Sequence, residues 1–249
     1  MPPRAFDMFS TVMLDCFLSL TYTETTMRTT NFAPNEYYHL CGRGTLGEDI
    51  FLDDHDRIRF LFLMLHFQSP TPINNVGWYL GRYFKNGSFQ LNEDTLQKIR
   101  DTRYIELTSF CLMPNHFHLL IRNLEDCIAS VYMHRVLTAY SKYFNARHKK
   151  IGHVFQGPFT SVHVKKNDQL LHLSAYIHKN PKDLPGWKDT YHKYEWSSCQ
   201  DFLSNNRWGD FLKTAIVTKQ FDSQSGYRKF LETSTAKERS LENSLVLEP

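Results

Sequence analysis

The 249-residue chain is poor in the features that assign a protein to a special compartment. Its cysteines, Cys16, Cys41, Cys111, Cys127 and Cys199, are odd in number, scattered and free of any Cys-x-x-Cys pair. That excludes a disulfide scaffold or zinc knuckle and predicts a reduced, cytoplasmic protein. Long apolar runs are also lacking. The stretch from Met8 to Leu20 is short, broken by Asp15 and without a small-residue cleavage site, so neither a signal peptide nor a membrane segment is expected. No internal repeat or long low-complexity tract is visible, and neither sign of charge dominates: 29 Lys and Arg oppose 26 Asp and Glu.

A net charge of +3 neither demands nor excludes a nucleic-acid partner, so its distribution matters more than its sum. From Lys142 to Lys182 the chain carries Lys142, Arg147, Lys149, Lys150, Lys165, Lys166, Lys179 and Lys182 against the single acid Asp168. A solvated face and a phosphate-binding face both fit such a run.

Within this composition the run Met113-Pro114-Asn115-His116-Phe117-His118-Leu119-Leu120-Ile121 stands out. On a strand, alternate side chains share a face. His116 and His118 can therefore reach one ion, while Phe117, Leu119 and Ile121 point into a core. A strand end whose histidines meet solvent or backbone partners is the competing reading. Downstream lies Tyr176-Ile177-His178-Lys179-Asn180-Pro181. If helical, it sets Tyr176 and Asn180 at i and i+4 on one face, ended by Pro181. Asn180 can supply an oxygen ligand, which shifts the preference of two imidazoles toward magnesium or manganese. A histidine-triad hydrolase needs a third histidine where Leu120 stands, and a metallo-β-lactamase site needs Asp and His at Leu120 and Ile121. A zincin needs its histidines on a helix.

The pattern along the chain predicts strand, helix, strand, strand, helix, strand, helix. A strand from Glu36 to Cys41 precedes a helix capped by Asp53 or Asp54 and running to His66. An irregular or helical insertion reaches about Arg100. Strands from Tyr104 to Leu112 and from His116 to Ile121 form a hairpin through Pro114-Asn115. A helix from Asp126 to about Arg147, an interrupted strand within Val154 to Val164, and a helix capped by Asn167 or Asp168 complete the set. This order suits an α+β, ferredoxin-like antiparallel sheet with helices on one face.

The motifs resemble those of the HUH single-tyrosine transposases of small insertion sequences, in particular the REP-associated tyrosine transposases. The matching pieces are Tyr37-Tyr38-His39-Leu40-Cys41-Gly42-Arg43-Gly44, Ile50-Phe51-Leu52-Asp53-Asp54 and Cys111 to Ile121. They continue with Val154-Phe155-Gln156-Gly157-Pro158-Phe159, Tyr176 to Pro181 and Glu195-Trp196-Ser197-Ser198. Pro158 stands where such proteins often carry arginine. The resemblance implies an HUH-type nuclease domain over residues 31–200, between a poorly ordered extension at 1–30 and a C-terminal extension at 201–249. It further implies that His116, His118 and Asn180 hold Mg2+ or Mn2+ and that Tyr176 attacks single-stranded, hairpin-bearing DNA to form a 5′-phosphotyrosine. Arg43, Lys165, Lys166 and Lys179 are the candidate DNA contacts, and a homodimer is compatible with this scheme. Two rival functions remain: a domesticated relative that binds nucleic acid without cutting it, and a small-molecule metallohydrolase sharing the His-x-His strand.

Overall fold

The computed structural model describes residues 31–235, so the expectations for the first thirty residues and for the end of the C-terminal extension lie outside the described residues. The first strand, β1 (Tyr37–Arg43), is followed by helix α1 (Asp54–His66). The side chain of Asp53 caps α1 by accepting from Asp56 N at 3.2 Å, satisfying one of the first-turn amides. The insertion that sequence pattern left irregular forms two amphipathic helices, α2 (Val76–Asn86) and α3 (Glu93–Asp101). Strands β2 (Ile105–Met113) and β3 (His116–Asn123) form the expected hairpin across Pro114-Asn115. Helix α4 (Ile128–His148), strand β4 (Thr160–Val164) and helix α5 (Asn167–Lys179) follow.

The strands stand in the order β2-β3-β1-β4 with every neighbouring pair antiparallel, the arrangement of a ferredoxin-like α+β domain. Alternation divides the sheet into two faces. Tyr38, Leu40, Phe117, Leu119, Phe110 and Leu112 pack against Phe60 and Met64 of α1 and Tyr132, Val136 and Tyr140 of α4. A register shift between Leu107 and Ser109 reverses the parity of β2, so Leu107 and Phe110 both reach this core.

Helices cover both faces of the sheet rather than one. Cys111, Met113 and Leu120 of the second face pack under Leu170, Leu173, Tyr176 and Ile177 of α5. They share a cluster with Phe202, Val217, Tyr227 and Leu231 from α6 (Cys199–Leu203), α7 (Ala215–Thr218) and α8 (Gln224–Thr233). The Trp196 segment also returns to the sheet, where Leu112 N donates to Trp196 O at 2.9 Å.

Two local expectations differ in detail. The strand within Val154 to Val164 is shorter, with Phe155 making only an isolated bridge to Gly44. Helix α5 is preceded by Lys166 with no side-chain cap, because Asn167 is already helical and exchanges amide hydrogen bonds with Gln220 at 2.7 and 2.9 Å.

Candidate active site

The turn before His116 is held by the loop that leaves β1. Pro114 O accepts from Ile50 N at 2.9 Å and Phe51 N at 3.0 Å, and Asn115 O accepts from Gly44 N at 2.8 Å. The Asn115 amide is oriented too: its Nδ2 donates to Gly47 O at 3.1 Å, leaving Oδ1 to meet His116 Nδ1 at 2.7 Å. An amide oxygen only accepts, so His116 carries its hydrogen on Nδ1 and its lone pair on Nε2. That is the tautomer required for ligation through Nε2.

His118 follows on the same face, its ring 5.0 Å from that of His116 and perpendicular to it at 87°. Cys41 of β1 lies directly opposite His118 in the strand register, and His39 stands two residues away on the same face. His39 Nε2 meets His118 Nδ1 at 3.0 Å. His39, Cys41 and His118 are buried, and their ligand atoms lie within 4.8 Å of one another, a donor set compatible with a divalent ion. Burial lowers the pKa of His39 to about 3, which keeps its ring neutral. The sequence reading assigned no role to His39 or Cys41. Their i, i+2 spacing on β1 was the available signal, the same one that singled out His116 and His118.

Helix α5 brings the tyrosine to this face. The Tyr176 ring stands edge-on to His118, 5.5 Å between centroids at 86°, and to His39 at 6.2 Å and 80°. Asn180, at the end of α5, donates Nδ2 to Tyr176 O at 3.0 Å. The i, i+4 relation is therefore present, and the amide nitrogen is the end committed to the helix. Tyr176, His118 and Asn180 are buried, whereas His116 is partly exposed. By type, two imidazoles and an amide oxygen are donors that suit a divalent cation, and His116 carries its lone pair on Nε2.

The basic residues divide. Arg43, half-buried, pairs with His116 in the β1–β3 register, so it lies at the histidine end of the sheet. Lys165 and Lys166 are exposed beyond Val164, which pairs with Tyr37 at the other end of β1. Six residue steps of strand separate those ends by about 20 Å. Lys179 is buried, and its Nζ donates to Ser234 O.

Among the described residues, no helix is long and apolar enough to cross a membrane. No curated protein matches the chain. A solved structure of a REP-associated tyrosine transposase bound to a REP hairpin aligns with a TM-score of 0.47 at 13% identity, over 73% of this chain and 87% of that one. The model of the family described as "Transposase IS200 like" matches residues 82–180. That segment includes β2, β3, α4, β4 and α5 and ends at Asn180, so His116, His118, Tyr176 and Asn180 all fall inside it. Over residues 82–180 this chain is therefore similar to the IS200-like transposases.

Proposed function

We propose that this protein cleaves single-stranded DNA and transfers the cut strand through a 5′-phosphotyrosine intermediate, as a metal-dependent HUH-type transposase does. The observation that carries the reading is the edge-on contact between Tyr176 on α5 and His118 on β3, which joins two motifs distant in sequence at one point. His116, His118 and Asn180 would hold the ion, Mg2+ or Mn2+, which when bound polarises the scissile phosphate and offsets charge on the leaving oxygen.

The remaining chemistry belongs to the chain. Tyrosine ionises with a pKa of about 10 and is a weak nucleophile until its proton is removed. In the cleavage step Tyr176 Oη bonds to phosphorus, the phenolic proton passes to solvent, and the bond to the 3′ oxygen breaks. The departing oxygen takes up a proton as a 3′-hydroxyl. One phosphate ester replaces another, so a 3′-hydroxyl can reverse the reaction and rejoin strands without a further energy source. In this reading Arg43 would contact a phosphate beside the histidines, and Lys165 and Lys166 the strand farther away. Tyr176 and His118 meet within one chain, an arrangement compatible with a monomer and with a homodimer.

The test incubates the protein with end-labelled, hairpin-flanked single strands and Mg2+ or Mn2+, then resolves covalent adducts on a denaturing gel. Tyr176→Phe and His116→Ala should each abolish the adduct, and its persistence in Tyr176→Phe refutes the reading. One observation favours a second reading, a domesticated relative that binds without cutting: Tyr176 is fully enclosed. Salt-sensitive binding with no adduct under any metal would select it.

A further inference from the structure

We infer that His39 is a positioning residue for His118, accepting its Nδ1 hydrogen and thereby reserving Nε2 of His118 for the metal; this rests on the site reading proposed above. The ring geometry carries the argument. The His39 and His118 centroids are 5.1 Å apart, their facing nitrogens are 3.0 Å apart, and the ring planes differ by 14°. The 2.1 Å difference between those separations is about what the two rings themselves span from centroid to nitrogen. Both nitrogens therefore lie close to the line joining the centroids, so the rings meet edge to edge in nearly one plane. This is a head-on N–H···N hydrogen bond, with no room for an ion between the two nitrogens. The His39, Cys41 and His118 cluster could take a metal only after the rings turned.

Two neutral imidazoles sharing one hydrogen bond have two arrangements. If His39 donates, the hydrogen of His118 sits on Nε2 and that atom cannot ligate. If His118 donates, its Nε2 carries the lone pair. The neighbouring ligand follows the second pattern, because the Asn115 amide oxygen makes His116 a donor at Nδ1. His39 thus does for His118 what Asn115 does for His116, the orienting role that outer partners play for metal-ligating histidines. The Tyr176 ring leans edge-on against both members of the pair, so His39 also supports the wall on which the nucleophile rests.

Two measurements test this. Nitrogen-15 NMR of the histidine rings in metal-free protein should show His118 protonated at Nδ1. Protonation at Nε2 overturns the inference, and this readout needs no variant and no activity. Mn2+ affinity, followed by the loss of the free-ion EPR signal, should fall roughly 10–100-fold in His39→Phe, which keeps a ring but offers no acceptor. His39→Gln, which restores an acceptor oxygen, should recover part of it. Unchanged Mn2+ affinity in a folded His39→Phe protein also overturns the inference. If His39→Phe does not fold, the NMR result decides. Failure of the underlying site reading looks different: His116→Ala would bind Mn2+ as the unaltered protein does, whatever the His118 tautomer.

Discussion

Acid should unfold this protein well above the pH at which its carboxylates protonate, because His39, His66 and His178 are buried in neutral form. His178 shows why. Its Nε2 meets Ser198 Oγ at 2.9 Å and its Nδ1 meets Tyr227 Oη at 2.8 Å. A neutral ring offers one N–H donor and one lone pair, and a hydroxyl can serve either nitrogen, so neutral His178 is satisfied at both. A second proton would make both ring nitrogens donors and require both hydroxyls to accept from it. Burial lowers the pKa of His178 to about 3, of His39 to about 3 and of His66 to about 4. In the unfolded chain each returns to about 6.5. The folded pKa values are depressed, so the unfolded state binds more protons below pH 6.5. The stability is complete above that value and is lost as pH falls toward 3 to 4. At pH 5.0 each group costs about 2 kcal/mol, and the three together about 6 kcal/mol, comparable with the net stability of an ordinary domain. Urea unfolding at pH 7.5 and 5.0 measures the difference. His178→Gln should reduce the pH-dependent loss by about 2 kcal/mol, whatever it does to absolute stability. A loss under about 1 kcal/mol in the unaltered protein refutes the linkage.

Other substitutions probe the scaffold around the site. A Cβ at Gly44 would lie 2.1 Å from Glu48 O and 2.9 Å from Ile50 Cγ2. Gly44→Ala should therefore displace the loop that pins the Pro114-Asn115 turn and cost about 2–3 kcal/mol in urea unfolding. Asp56 is fully buried and accepts from Leu52 N at 3.0 Å, Arg147 at 2.6 Å and His148 at 3.0 Å. Asp56→Ala should cost about 2–3 kcal/mol, below the full cost of breaking a buried pair because Arg147 keeps Asp53. Asp53→Ala, which removes a partly exposed cap, should cost about 1 kcal/mol. Lys179→Met should lower the melting temperature and expose the chain at Ser234 to protease, because Lys179 Nζ bonds Ser234 O. If it instead weakens salt-sensitive DNA binding at unchanged stability, the lysine contacts phosphate rather than the C-terminal segment.

The two faces of the sheet were not equally legible. Phe117, Leu119 and Ile121 announced the first core through strand alternation, and α1 and α4 followed from apolar spacing at helical period. The opposite face carries His39, Cys41, His116 and His118, the alternation of a sheet wet on one side. That pattern predicts helices on one face only. Here His39 of β1 and His118 of β3 pair with each other and stand against the Tyr176 ring, so these two polar side chains are buried. Their hydrogen bonds cross between strands, and a single-strand pattern does not record which residues face each other. The insertion at 69–100 was obscure for a simpler reason. Helix α2 contains Gly77 and Gly81 and ends at Gly87, residues that lower helix propensity, so packing rather than local preference makes it helical.

The same burial joins the scaffold to the chemistry. A solvated His116-x-His118 pair could rotate freely and would hold a metal poorly. In this fold β1 supplies His39 against one ring and the Gly44 to Phe51 loop fixes Asn115 against the other. Each imidazole is thereby oriented by a partner outside the His-x-His motif, and β1 and the loop that follows it also lie outside the matched segment 82–180. If the site works as proposed, the matched segment supplies its ligands and nucleophile, while residues before it set the ligands' orientation. Transplanting residues 82–180 alone should therefore carry the motif without the function, since His118 would lose its His39 partner and the Pro114-Asn115 turn its loop.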